Sequence, residues 1–150
     1  MPKPTDPSTW THMFTDDIKF TQKITLFHPM DTDRLLVLTR SESAKVRPGG
    51  VDLPGGNVLY GEDALESILR EVEEETAIVD IQPSIIHIHA NMREEKGYYL
   101  IATGYRAELN QSHLNQIQLS SEHSSYHWMT KEEFIAAHPH WFLQEMIEKT

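Results

Sequence analysis

Three glutamates, Glu71, Glu74 and Glu75, lie within five residues of one another, in a segment where Leu65, Ile68, Leu69 and Val72 recur at helical spacing. At roughly 100° per residue the three carboxylates share one helix face beside that apolar stripe, and Glu73 points away from them. On an open surface such like charges cost only roughly 0.2–0.5 kcal/mol per pair, so a solvated acidic face is one reading. Beside a buried stripe, at an effective dielectric of about 20 and a separation of about 6 Å, each pair repels by roughly 3 kcal/mol. A partly buried trio therefore needs divalent cations, and hard oxygen donors suit Mg²⁺ or Mn²⁺.

The elements around the trio follow from local signals. The helix runs from about Asp63 to Thr76, with Asp63 and Glu66 spaced as a capping box. Seven of the 23 acids fall in Glu62–Glu75, and five of the seven glycines fall between Gly49 and Gly61. The glycines mark Val51-Asp52-Leu53-Pro54-Gly55-Gly56 as a backbone-rich loop leading into the helix. Lys19–Phe27 and Arg34–Arg40 read as a strand pair across the turn-like Pro29–Asp33. Ile85–Ala90 and Gly97–Leu109 read as strands, Asn110–Ser125 as loop and Tyr126–Met129 as a short strand. Thr130 is the N-cap of a helix beginning Lys-Glu-Glu-Phe, and Trp141–Glu148 forms a closing helix. Strands around one central helix, with helices at the end, give an α/β sandwich.

Composition narrows the function. The chain has 150 residues, 13 bases against 23 acids and a formal charge of −10, with no run of three bases. That balance argues against binding nucleic-acid polymers through a basic surface. Length points to one domain over residues 1–150, with about 1–16 an extended tail because three of its first seven residues are proline. The absence of cysteine excludes disulfides, Cys-ligated zinc, iron–sulfur clusters and a Cys nucleophile. Residues 1–16 contain no apolar signal segment, and no apolar run approaches a membrane span of roughly 20 residues. The expectation is a cytoplasmic protein without membrane association.

The stretch Gly56–Ile78, GNVLYGEDALESILREVEEETAI, resembles the Nudix box, G-x5-E-x7-R-E-U-x-E-E-x-G-U, with U bulky and aliphatic. Gly56, Glu62, Arg70, Glu71, Val72, Glu74, Glu75 and Ile78 match in register, and Leu53-Pro54-Gly55 resembles the usual lead-in. Ala77 stands where the family has glycine, just past the helix, where a left-handed residue is favoured. Val51 stands where many members carry an aromatic residue. The resemblance implies a Nudix-like α/β/α sandwich with a mixed β-sheet and a catalytic loop–helix–loop. It also implies a metal-dependent pyrophosphohydrolase that cleaves the diphosphate of a nucleoside diphosphate linked to another group by water attack on phosphorus.

By that resemblance Glu71, Glu74 and Glu75 are metal ligands for Mg²⁺ or Mn²⁺, joined by the Gly55 backbone carbonyl, and Glu74 and Glu75 count among the catalytic residues. Arg70, at i,i+4 from Glu74, orients the cluster unless it is an ordinary surface pair. Glu62 suits the positive end of the helix dipole. Glu122, six residues before Trp128, is the candidate general base or additional ligand, with a box glutamate as competitor and Glu94 and Glu95 as weaker candidates. Arg40, Arg47 and Gly56 are candidate substrate contacts, with Lys45 beside them. His87 and His89 share a strand face, but two ligands do not make a metal site, so they read as packing or surface residues. His123 and His127 are possible substrate contacts, and Tyr126 and Trp128 read as core. The substrate expected is a small nucleoside triphosphate or nucleotide sugar, since residues Met92 and Arg93, and Tyr98 and Tyr99, do not supply the markers of ADP-ribose or dinucleoside-polyphosphate members. A homodimer is possible by family habit. The competing class is a catalytically silent Nudix-fold nucleotide-binding or regulatory module, and a third is a plain acidic interaction domain.

Overall fold

A computed structural model describes residues 17–150; the expected tail over 1–16 lies outside them. In chain order the elements are β1 (Asp17–Phe27), β2 (Arg34–Arg40), β3 (Val51–Asp52), β4 (Gly55–Asn57), α1 (Ala64–Thr76), β5 (Ser84–Arg93), β6 (Tyr98–Glu108), α2 (Gln111–Leu114), β7 (His123–Thr130), α3 (Lys131–Ala136) and α4 (Trp141–Lys149). The sheet runs β3-β2-β1-β6-β5, with β4 paired to β1 and β7 to β2. It is mixed: β1 and β6 are parallel along eleven residue pairs, and the other pairings are antiparallel.

Period-two alternation in β1 and β2 sends side chains to both faces, and each face is covered. Ile24, Leu26, Leu36 and Leu38 pack with Ile68 and Val72 of α1 and with Tyr105 and Ala107. On the opposite face Phe27, Leu35 and Val37 pack with Phe134 of α3 and with Phe142, Leu143, Met146 and Ile147 of α4. The result is the expected three-layer α/β/α sandwich. Ile68 and Val72 are fully buried and each contributes roughly 1.5–3 kcal/mol by removing its side chain from water. Leu65 does not join them. At 47 % exposure it stays largely outside the core, and Ser67 is buried on the helix instead.

The expected β1–β2 pair is only partly formed. The two strands meet at Phe27 and Leu35 alone and then diverge. Into the fork goes the glycine segment, which is two short strands and not the expected loop. Gly55–Asn57 pairs with Thr21–Lys23 of β1, and Val51–Asp52 pairs with Leu38–Thr39 of β2. The segment Asn110–Ser125 likewise holds more than loop. Asn110 caps the short α2 through a reciprocal capping box with His113, and β7 begins already at His123.

The helix boundaries follow their caps. Asp63 Oδ2 accepts from Glu66 N at 3.1 Å at the start of α1. Thr130 and Glu133 form a full capping box on α3. At the end of α1 Ala77 takes φ 64° and donates its N–H to Glu73 O at 2.8 Å, so a non-glycine residue holds the left-handed position. Ala77→Gly should raise the unfolding free energy by about 1 kcal/mol. Urea denaturation measures this, and an unchanged or lowered midpoint would refute it.

Candidate active site

The fork between β1 and β2 places the glycine segment against the C-terminal half of α1. Glu75 is the buried member of the trio, at 2 % exposure. Its Oε1 accepts from Gly55 N at 3.0 Å, and its Oε2 lies 3.3 Å from His123 Nδ1, without hydrogen-bonding alignment, so that nitrogen is buried and unpartnered. Burial pushes the Glu75 carboxyl up to about 8, against the opposing pull of Lys23 and the Gly55 N–H, with Asp52 and Glu71 adding to the rise. Glu71 is half-buried. Burial raises its carboxyl too, Arg70 opposes, and Glu74 and Glu122 add repulsion.

Glu74 shares the face but not the environment. Its side chain is 58 % exposed. Arg70 ties the group together: Nη1 to Glu74 Oε2 at 3.0 Å, Nη2 to Glu71 Oε1 at 3.2 Å, and Nε to Glu62 Oε2 at 2.6 Å. It is therefore more than an isolated surface pair. The Glu62 carboxylate, expected to act on the helix dipole, is fully engaged by Arg70 and by Leu59 N.

Two glycines make this arrangement possible. Gly55 takes φ 145°, and a Cβ there would meet Gln22 O at 2.0 Å. A Cβ on Gly56 would fall 2.5 Å from the Glu71 carboxyl carbon, so only glycine leaves the carboxylate its place.

Behind Glu75 lies a second carboxylate with the opposite balance. Asp52 is 4 % exposed. Its Oδ1 accepts from Lys23 Nζ at 2.9 Å, and its Oδ2 from Arg40 Nη1 at 3.1 Å. His123 Nε2 lies 3.2 Å from Oδ2. Burial pushes the Asp52 carboxyl up, but Lys23, His123 and the Leu53 N–H more than offset this and hold it well below the usual range. His123 thus stands between an ionised carboxylate and one that burial favours as the acid.

These groups open on a cavity of about 540 Å³. Lys19, Lys23, Arg40, Arg47, Arg93 and Lys96 line it, together with Glu75, Glu122, Gly55 and Gly56. Tyr98, Trp141 and Phe142 supply aromatic wall, and the Arg93 guanidinium lies 5.1 Å from the Trp141 ring centre. Of the sequence candidates Arg40, Arg47, Gly55, Gly56, Glu75, Glu122 and His123 line the cavity, whereas Arg70, Glu71, Glu74, Lys45, Glu94 and Glu95 do not. Arg40 is also bound to Val46 O and Arg47 to His138 O. Glu122 brings a ligand atom within 4.8 Å of those of Glu75 and His123, and Ser41 N donates to its carbonyl at 3.0 Å. His127 is exposed and does not line the cavity. Tyr126 is 39 % exposed and so is not core, whereas Trp128 packs on the α1 side.

Sequence reasoning missed Lys23 and Asp52. Asp52 carried a signal, as an acid inside an apolar-proline-glycine segment, and Lys23 was a charge on a strand that is otherwise apolar toward its end. Lys19, Arg93, Lys96 and Trp141 had none, because each reaches the cavity only through the tertiary fold.

The NUDIX domain family matches residues 20–149. Among solved structures, a MutT protein from Methanosarcina mazei Go1 is 25 % identical, covering 91 % of this chain and 94 % of its own, with a TM-score of 0.71. A MutT NUDIX hydrolase from Burkholderia pseudomallei is 18 % identical, covering 89 % and 98 %, with a TM-score of 0.68. An Ap4A hydrolase from C. elegans is 20 % identical, covering 87 % and 93 %, with a TM-score of 0.64. No curated protein matches. The chain belongs to the Nudix family. It is a Nudix hydrolase acting on pyrophosphate bonds of small nucleotide-type substrates, nucleoside diphosphates linked to another group, and enzymes of this family generally use divalent metal ions. No helix among the described residues is long and apolar enough to cross a membrane.

Two outcomes test this geometry. Gly56→Ala should displace the Glu71 carboxylate and weaken Mn²⁺ binding roughly 10–100-fold with the fold retained; unchanged affinity would show that Glu71 has room to spare. In EDTA the folded protein holds a proton on Glu75 that the unfolded chain releases, so stability should fall as pH rises from about 4.5 to about 8. Thermal unfolding of Glu75→Gln over the same range should show a shallower slope, and identical slopes would sink the assignment.

Proposed function

We propose that the chain is a Mg²⁺- or Mn²⁺-dependent pyrophosphohydrolase that takes a nucleoside triphosphate or nucleotide sugar, with Glu71, Glu74 and Glu75 as the metal ligands and the Gly55 carbonyl beside them. The observation that carries the reading is a buried, under-compensated carboxylate facing a cleft ringed by six bases. The residues suit such an ion. The donors are hard oxygens, Gly56 leaves a cradle that a Cβ would fill, and burial without enough positive charge keeps Glu75 short of a partner. Bound there, a divalent ion supplies charge neutralisation at the phosphates and acidifies a water.

The chain's own residues do the rest. Arg70 holds Glu71 and Glu74 in orientation and lets Glu75 alone enter the protein interior. Arg40 and Arg47, with Lys19 and Lys96 across the cleft, hold the phosphates of the substrate. Glu122, exposed on its loop and near Glu75, takes the proton of the attacking water. The cleft volume is of the size that small-molecule sites use, and a nucleobase has aromatic wall to rest on at Tyr98 and Trp141. A cytoplasmic setting suits these substrates.

A panel of nucleoside triphosphates, nucleotide sugars and dinucleoside polyphosphates, assayed with and without Mg²⁺, identifies the substrate. Glu75→Gln should lower kcat by roughly 100-fold or more while nucleotide still binds. Metal-dependent binding without turnover in the wild-type protein would instead establish a regulatory module. Glu122→Gln should lower kcat with KM little changed; wild-type kcat in that variant moves the base to one of the helix glutamates.

A further inference from the structure

Against Trp141 and Phe142, which line the cleft, lies a cluster that hydrolysis does not use. β5 carries His87 and His89 on one face, and Glu145 of α4 reaches both. Glu145 Oε2 lies 2.6 Å from His87 Nε2 and 2.9 Å from His89 Nδ1. All three side chains are partly buried. The three ligand atoms lie within 4.8 Å of one another, whereas His89 Nε2, on the far edge of its ring, is buried with no partner and takes no part in the site. The rings are fixed from outside: His87 lies 6.2 Å from Phe142, nearly parallel to it, and His89 lies 4.9 Å from Trp141, measured between ring centres.

We propose that His87, His89 and Glu145 form a second metal site, for a borderline divalent transition ion such as Zn²⁺. Two imidazoles and one carboxylate from two elements supply three ligands and leave a position for water. Imidazole nitrogen suits zinc and disfavours Mg²⁺, so this site and the all-oxygen cluster on α1 select different ions. At bond lengths of about 2.0–2.1 Å neighbouring tetrahedral ligands stand about 3.3 Å apart. The carboxylate must therefore withdraw by about half an ångström on binding, which a Glu145 side chain one-third exposed can do. Each ring then coordinates in the tautomer that carries its hydrogen on the other nitrogen. The ion would clamp β5 to α4 and so hold Trp141 and Phe142, which line the cleft. The proposal is independent of the substrate reading.

Zn²⁺ titration by calorimetry in saturating Mg²⁺, with Co²⁺ absorption as a reporter of imidazole ligation, tests it. One Zn²⁺ per chain is expected, with a rise in Tm, and the Glu71→Gln/Glu75→Gln variant should keep both. His89→Ala should abolish binding, and Glu145→Gln, which preserves side-chain volume and packing, should weaken it at least roughly tenfold. Circular dichroism checks that both variants fold. Binding that survives undiminished in Glu145→Gln, or that vanishes in Glu71→Gln/Glu75→Gln, would put the ion elsewhere and overturn the proposal. So would a wild-type protein that binds no Zn²⁺.

Discussion

A carboxylate closed off from water must be answered from inside the protein, and the arrangement around Glu75 turns on how incompletely that is done. One backbone N–H reaches it directly, while the neighbouring Asp52 takes Lys23, Arg40 and the Leu53 N–H. His123 touches both acids and satisfies neither fully. Two carboxylates of similar burial therefore end in opposite states, one held ionised and one pushed toward the acid. The first locks the fork between β1 and β2. The second keeps a demand for positive charge where the fork opens on the cleft.

The charge of the whole chain hides this local balance. A formal charge of −10 suggests a surface that repels phosphates, yet six of the 13 bases line one cavity. Seven of the acids gather in Glu62–Glu75, while the bases of β1, β2, the β2–β3 connection, the end of β5 and the β5–β6 turn converge on the cavity. Inside a concave, partly apolar wall such charges act at lower effective dielectric than on open surface. An anion entering the cleft meets the local field and not the net charge.

What was legible in advance was short-range. The helix α1, its Asp63 cap, the left-handed stop at Ala77 and the glycines ahead of it are set by residues within a few positions of one another, where propensity and hydrogen-bond geometry decide. Errors arose where a local pattern met a boundary set elsewhere. Leu65 continues the apolar stripe, but its side chain stays 47 % exposed, although β1 reaches the same turn through Gln22 and the Ala64 carbonyl. Tyr126 shares the α1-side face of β7 with Trp128, yet it stays 39 % exposed while Trp128 packs on the core. β1 meets its sequence neighbour β2 at Phe27 and Leu35, while its full-length partner is β6, some eighty residues away. No local feature of Lys19–Phe27 names that partner.

By itself the sequence determined the order of donors along α1 and the salt-bridging register of Arg70 with Glu74, because helical geometry converts spacing directly into position; that Gly56 makes room for Glu71 came only from the fold. Only the tertiary structure decided that Glu75 is the carboxylate driven inside, that Asp52 takes the compensating bases, and that Glu145 completes the pair on β5. Those outcomes depend on how α1 and α4 seat on opposite faces of the sheet. Residues tens of positions apart come within hydrogen-bonding distance through packing that no single segment encodes.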